Sequence, residues 1–225
     1  MHKKSTLNRQ RSAVCGLRVI ALAALMLLPF SASAQYAGFK PVTDVTTFKS
    51  QFATESAKVT SITSNFTQEK VLTALTEKIT SSGKFWFKRS NKVRLEYQKP
   101  FVYLMIMNEG KILVRDDQKE TTLNLNTNKL FQQVNRIMMD CVQGTILSSK
   151  DFTVRVFEQE KIYLLEMTPT SKILKDFFTT IVLLVDRSDY SVKSIQMNEP
   201  TGDTTIITFT EKKLNTQVPD AVFAF

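Results

Sequence analysis

The side chains that most often carry catalysis are scarce in this chain. The sequence holds one histidine, His2, and two cysteines, Cys15 and Cys141. Histidine-based triads and ordinary zinc sites need more of these side chains, and the sequence contains no glycine-rich phosphate loop. The sequence therefore predicts no catalytic residue, no metal ligand and no cofactor.

Paired carboxylates are the remaining arrangement that could perform acid and base chemistry. Asp116 and Asp117 are adjacent, and Glu158 and Glu160 are two residues apart. Two carboxylates that flank a glycosidic bond can hydrolyse it. Adjacent acids in turns are usually solvated, however, so we expect that the protein is not an enzyme. An enzyme acting on an apolar substrate stays as an alternative.

The first 34 residues have the three parts of a secretory signal peptide. Basic residues come first, residues 19–28 form an apolar run, and Ala32-Ser33-Ala34 offers small residues for cleavage after Ala34. The apolar run spans ten residues, whereas a membrane-spanning helix needs about 20. We expect residues 1–34 to be cleaved and residues 35–225 to form a single exported domain. Cys141 would then be its only cysteine, which excludes an intramolecular disulfide.

The positive net charge comes largely from this leader. The whole chain carries a net charge of +9. Residues 1–34 hold five of the 30 basic residues and none of the 21 acidic ones, so the rest of the chain carries only +4. This modest charge does not indicate nucleic-acid binding, and we expect a protein without a nucleic-acid partner.

Hydrophobic periodicity predicts two amphipathic helices. Thr43 or Asp44 can cap a first helix in which Phe48, Phe52 and Val59 recur at roughly helical spacing. A second helix ends near Gly144. Its apolar residues, at steps of three and four, are Leu130, Phe131, Val134, Ile137, Met138, Cys141 and Val142.

Elsewhere the apolar residues alternate with a period of two, which is typical of strands. Turn residues separate the runs, and the short links predict antiparallel pairing. A sheet of about ten such strands must curl or close, and the helices need an apolar surface to cover. We therefore predict an α+β fold, mainly antiparallel β, with helices over the concave side of a curved sheet. The predicted strands are residues 62–75, 79–88, 92–98, 101–107, 111–115, 121–126, 152–157, 162–167, 178–185, 191–198 and 204–212.

The segment from Gly83 to Pro100 contains one residue that does not fit its strand face. Phe85, Phe87 and Arg89 share a face if the period is two. Arg89 could end the strand and reach solvent through its long side chain. Alternatively, its guanidinium could be buried and donate hydrogen bonds to backbone carbonyls of another element, which suits its five donors.

These residues resemble the periplasmic outer-membrane lipoprotein carrier family, LolA. Local similarity is strongest over residues 61–115, and the order of elements agrees over nearly the whole chain after residue 34. The residues that carry the resemblance are Ser64-Asn65-Phe66-Thr67-Gln68, Gly83, Phe85-Trp86-Phe87-Lys88-Arg89, Tyr97, Pro100, Asn108-Glu109-Gly110 and Phe223-Ala224-Phe225.

The resemblance implies an open half-barrel sheet lidded by helices. It implies a periplasmic carrier that shields the acyl chains of lipoproteins and moves them from the inner to the outer membrane. The implied partners are acylated lipoproteins or other lipid-like cargo, an ABC-type release complex in the inner membrane and an outer-membrane acceptor. Arg89 matches the arginine that latches the family's lid, and the family's following proline is Ser90 here. We expect a monomer.

A lipid-binding cavity is the predicted functional site. A carrier or sensor of another lipid or hydrophobic molecule is the alternative function. Separately, a basic cluster at Lys84, Lys88, Lys92, Arg94 and Lys99 could dock an anionic lipid surface or an acidic partner, or it could form a solvated face of the sheet. The expected cavity residues are Phe85, Phe87, Val93, Leu95, Tyr97, Met105, Met107 and Met138.

Overall fold

A computed structural model describes residues 36–75, 77–127 and 129–225, and in these residues twelve strands form one open, curved sheet. All neighbouring strands pair antiparallel. The sheet order is β1-β8-β9-β10-β11-β12-β2-β3-β4-β5-β6-β7. The strands are β1 (Lys40–Pro41), β2 (Ser61–Leu72), β3 (Glu77–Lys88), β4 (Lys92–Lys99), β5 (Tyr103–Asn108), β6 (Lys111–Asp116), β7 (Glu120–Asn124), β8 (Phe152–Glu158), β9 (Ile162–Pro169), β10 (Thr180–Asp186), β11 (Val192–Asn198) and β12 (Thr204–Leu214).

The predicted α+β fold is confirmed. Three α-helices accompany the sheet in the described residues: α1 (Val45–Ala57), α2 (Lys129–Gln143) and the short α3 (Lys172–Lys175). Asp44 caps α1 as predicted, because its Oδ1 accepts a hydrogen bond of 2.9 Å from the Thr47 amide. Gly38–Phe225 form one compact unit.

Some predictions lie outside the described residues or differ from the structure. The predicted signal peptide is not described, nor are the side chains of Leu130, Phe131 and Val134. Strand β1 and helix α3 were not predicted, because two and four residues are too short to show a period. Strand β5 begins at Tyr103, and the preceding Phe101 is 70% exposed. The alternation in the sequence shows that Phe101 is apolar, but it does not show whether this side chain is buried or exposed.

Two apolar clusters cover the helix side of the sheet. In the first, Phe48 and Phe52 of α1 pack on strands β8 to β10. In the second, Met139 of α2 packs on strands β2 to β6. The helices meet at Gly144, whose φ of 72° ends α2. A Cβ at this position would come within 2.8 Å of the Ala53 Cα, so only glycine permits this approach.

The C-terminal segment, residues 215–225, covers the opposite side of the sheet. Phe223 is fully buried there against Leu104, Ile106 and Leu113. Lys88 donates 3.0 Å to the Val218 carbonyl. The segment therefore supplies the outer layer that this part of the sheet would otherwise lack.

Three of the five residues in the predicted basic cluster hold this C-terminal segment. Lys88 and Lys92 form ion pairs of 2.8 Å and 3.0 Å with Asp220. Arg94 donates 3.3 Å to the carbonyl of Val222. These side chains have an intramolecular role, which neither interpretation of the cluster anticipated.

We predict that Phe223→Ala destabilises the protein by about 3–5 kcal/mol, the usual cost of truncating a buried phenylalanine. Phe225 is 49% exposed two residues later and provides a matched control. Phe225→Ala should change the free energy of unfolding by less than about 0.5 kcal/mol. Urea unfolding of the two variants measures both values. Equal effects would show that the outer cluster does not depend on Phe223.

Candidate functional site

A cavity of about 260 Å³ lies between the sheet and the helices. About 10–15 Å³ of such volume holds one water molecule, so this space is far larger than a packing defect. The walls come from strands β2 to β5 and β10 to β12, helix α2, the C-terminal end of α1 and the segments beside them. The lining residues are Ser56, Val59, Ile62, Ser64, Phe85, Val93, Leu95, Met105, Ile137, Met138, Cys141, Val142, Phe178, Ile181, Leu183, Tyr190, Ser191, Val192, Ile195, Met197, Ile207, Phe209, Lys212 and Leu214.

The structure brings five of the eight expected cavity residues to this wall: Phe85, Val93, Leu95, Met105 and Met138. Register explains the group on β3 to β5, because Phe85 pairs with Leu95 and Leu95 pairs with Met105. Side chains opposite one another in neighbouring strands share a face of the sheet. Period two on adjacent strands therefore assembles a continuous apolar surface.

The other three expected residues lie elsewhere in the same apolar cluster. Phe87 and Met107 are 1% and 2% exposed and pack in the core. Tyr97 contacts the Phe66 ring edge-on, with centroids 4.9 Å apart, and its hydroxyl donates 2.7 Å to Gln68 Oε1. Burial raises the pKa of Tyr97 to about 12. Spacing identified the correct sheet face but not which part of that face is covered by packing.

Much of the wall comes from strands that the sequence analysis did not single out as a site. Strands β10, β11 and β12 contribute alternate apolar residues. Their alternation is visible in the sequence, but the local resemblance at residues 61–115 directed attention to β2 to β6. The lining residues from β10, β11 and β12 include Ile181, Leu183, Ile195, Met197, Ile207 and Phe209.

Arg89 ties β3 to the end of α1. Its Nη2 donates to the Ala57 carbonyl at 2.6 Å and to the Val59 carbonyl at 2.8 Å, and its Nε donates to Val59 at 3.1 Å. The side chain is exposed yet bonded to carbonyls, so the structure combines features of both interpretations. Ser90 has a φ of 80°, which proline cannot adopt, so the family's proline would not fit the backbone of this chain.

A few polar groups interrupt the apolar wall. The Tyr190 hydroxyl donates 2.7 Å to Gln51 of α1, and burial raises the pKa of Tyr190 to about 12. Lys212 is the one charged side chain among the lining residues that the structure describes. Its ammonium donates to the Ser191 hydroxyl, and desolvation lowers its pKa. Ser56 and Ser64 are the other polar lining residues.

Over residues 36–75, 77–127 and 129–225, no three histidine, cysteine or acidic side chains lie together in a way that could hold a metal ion. In that same part of the chain, no helix combines the length and apolar character needed to cross a membrane.

The family assignment rests on a match over most of the chain. The sequence model described as outer membrane lipoprotein carrier protein LolA matches residues 57–225. The chain belongs to the LolA family. LolA-like proteins are periplasmic carrier or binding proteins, so the family indicates a carrier that binds lipid or lipoprotein. No curated protein matches the sequence.

Several solved structures resemble this LolA-family chain. A LolA superfamily protein from Nitrosomonas europaea shares 10% identity, with 79% of this chain and 97% of that chain covered and a TM-score of 0.42. The MucA/MucB complex of Pseudomonas aeruginosa shares 13% identity. The match covers 78% of this chain and 59% of that chain, with a TM-score of 0.46. Lipoprotein LppX of Mycobacterium tuberculosis shares 10% identity. The match covers 76% of this chain and 96% of that chain, with a TM-score of 0.43. At these identities none of them indicates the cargo of this chain.

We predict that the Cys141 thiol is inert in the folded protein. It lines the cavity, and burial raises its pKa to about 12, so the thiol stays protonated at about pH 8. In a Cys15→Ser background, a charged disulfide reagent should react at least about a hundredfold more slowly before unfolding in urea than after it. Equal rates would contradict the burial of this thiol.

Proposed function

We propose that this protein is a periplasmic carrier that shields the acyl chains of lipoproteins in its cavity and moves them from the inner to the outer membrane. The observation that carries this proposal is the apolar cavity of about 260 Å³ under the helices. We further propose that residues 1–34 are a cleaved signal peptide and residues 35–225 a monomeric carrier domain. An ABC-type complex would load it, and an outer-membrane acceptor would receive the cargo.

The walls suit an acyl chain because they are apolar on several sides. Phe85 and Met105 come from one part of the sheet, Ile195 and Ile207 from another, and Met138 from the covering helix. An acyl chain in this space would exchange contact with water for contact with these side chains. Burial of each methylene contributes about 0.8 kcal/mol. Methionine side chains adapt to chains of different shape.

We predict that affinity for acylated peptides rises with chain length until the cavity is full. Each added methylene should tighten binding about fourfold, as expected from its burial. Displacement of a fluorescent hydrophobic probe by peptides that differ only in chain length measures this. Flat affinity across the series would contradict binding of acyl chains in the cavity.

Two isoleucines allow a matched test of where the acyl chain lies. Ile137 of α2 lines the cavity, whereas Ile79 of β3 is 41% exposed and does not line it. Ile137→Trp should reduce the free volume, so that affinity reaches its plateau at a shorter chain. Ile79→Trp should leave the plateau at the parental chain length.

Arg89 is the proposed latch of the cavity. The carbonyls it binds belong to Ala57, the last residue of α1, and to Val59, which itself lines the cavity. The last carbonyls of a helix lack partners within the helix, and a cation there is favourable. Movement of the end of α1 away from β3 would have to break these bonds. When the hydrogen bonds from Arg89 form again, they would favour the state in which the end of α1 is held against β3. Return to this closed state would favour release of the cargo.

We predict that Arg89→Leu binds acylated peptide at least as tightly as the parent and releases it about tenfold more slowly. Hydrogen bonds to charged groups contribute about 1.5–3 kcal/mol, and exposure of Arg89 places the effect at the lower end, where about 1.4 kcal/mol is a factor of ten. Stopped-flow release of a fluorescent acyl peptide measures the rate.

Arg115→Leu is the matched control for this experiment. Arg115 lies on β6 and pairs with Glu120 at a surface where both side chains are 50% exposed, so its loss should change little. Arg89→Lys keeps the charge but not the planar set of donors, and it should fall between the parent and Arg89→Leu. Release by Arg89→Leu at the parental rate would show that Arg89 is not a latch.

A further inference from the structure

Strand β12 contains a bulge at the cavity wall. Thr210 pairs with Asn65 of β2, but the next pair joins Lys213 to Thr63. Glu211 and Lys212 therefore both lie opposite Ser64. Glu211 has a φ of 51°, a conformation that residues other than glycine rarely adopt. Bulges of this kind redirect side chains and are common beside functional sites.

The bulge decides which charged side chain faces the cavity. Ile207 and Phe209 line the cavity from odd-numbered positions, and uninterrupted alternation would next bring in Glu211. With the extra residue, Lys212 and Leu214 line it instead. The Glu211 carboxylate accepts 2.7 Å from Asn65 Nδ2 and is exposed. A cation thus replaces an anion in an apolar wall.

The Lys212 ammonium has donor capacity to spare. An ammonium has three N–H groups. One donates to the Ser191 hydroxyl, and another makes a long contact of 3.5 Å with the Val192 carbonyl. None of the salt bridges among the described residues includes Lys212.

The carboxylates near Lys212 are engaged by other groups. Asp189 accepts hydrogen bonds from the amide and hydroxyl of Ser191. Asp186 pairs with Lys193 at 3.1 Å. The charge of Lys212 is therefore not cancelled by a direct ion pair in the described residues.

Ser64, opposite the bulge, provides a second and independent observation. It is only 7% exposed and lines the cavity. Its Oγ has no hydrogen-bond partner among the described residues. A buried hydroxyl without a partner is unfavourable, so rotation of the Ser64 side chain to donate to an acceptor oxygen of a ligand in the cavity would satisfy it.

We propose that the bulge of β12 forms a head-group site, in which Lys212 and Ser64 bind the anionic oxygens of an acidic amphiphile whose hydrocarbon chain fills the cavity. This inference rests on the proposed role of the cavity as a site for hydrocarbon chains, and the ligand class that it names fits the alternative function, a carrier of another lipid. A carboxylate or a phosphate would accept a charge-assisted hydrogen bond from Lys212. A neutral head of the same chain length would not.

Three ligands with the same chain test this proposal: dodecanoate, dodecyl phosphate and dodecanol. They are compared by displacement of a hydrophobic fluorescent probe from the parent and from Lys212→Met, Ser64→Ala and Lys213→Met. Lys213 is exposed and does not line the cavity, so it is the matched control. Thermal unfolding checks that each variant is folded.

The parent should bind at least one of the two anions about tenfold more tightly than dodecanol, as expected for one charge-assisted hydrogen bond. Lys212→Met should lose this preference and keep its affinity for dodecanol. Ser64→Ala should lose part of the preference for anions. Lys213→Met should keep all of this preference. Preference for dodecanoate alone would indicate a fatty acid head, and preference for dodecyl phosphate alone a phospholipid head.

Two outcomes separate this inference from the proposed function. Equal binding of all three ligands by the parent, or an anion preference that survives Lys212→Met, would overturn the head-group site and leave the apolar cavity in place. Failure of the parent to bind any of the three would count against the cavity as a lipid site itself.

Discussion

The structure depends on one constraint: a long antiparallel sheet with an apolar face must keep that face from water. The α1 and α2 helices cover it, and they meet where Gly144 lets their backbones approach. Phe48 and Phe52 of α1 fill one part of the face, and Met139 of α2 fills another. Two helices do not fill the whole curve of a twelve-stranded sheet. The space that is left becomes the cavity, so one apolar face of the sheet both packs against the helices and lines the cavity.

The C-terminal end of α1 is the point at which the cover is tied to the sheet. Arg89 binds the Ala57 and Val59 carbonyls from β3. Asn215, just after β12, accepts 2.7 Å from the Thr60 amide. Arg89 binds carbonyls at and just after the end of the helix, where carbonyls lack helical partners, and Asn215 holds the backbone amide that follows them. Polar contacts between exposed groups contribute less than apolar packing, which is why we propose that this connection opens while the core stays folded.

The two faces of the sheet have separate tasks. On the outer face, the C-terminal segment packs Phe223 against the sheet and is held by Lys88 and Arg94. The packing of the C-terminal segment contributes stability on the outer face. The cavity lies on the other face, under the helices. Substitutions on the outer face should therefore act on stability, and substitutions in the cavity wall on binding, because the sheet backbone separates the two sets of side chains.

The sequence by itself determined the sheet, its antiparallel pairing, the covering helices and the apolar face that includes Phe85 and Leu95, because a period of two or of 3.6 fixes which side chains share a face. It also singled out Arg89 as a residue that did not fit. Only the tertiary structure decided which of these side chains border open space and which, like Phe87, are covered by packing. It alone revealed the charge in the wall, because the bulge at Glu211 reverses the alternation of β12 and turns Lys212 inward. A pattern of period two cannot foresee a bulge, since the pairing of β12 with a distant strand determines where the extra residue is accommodated.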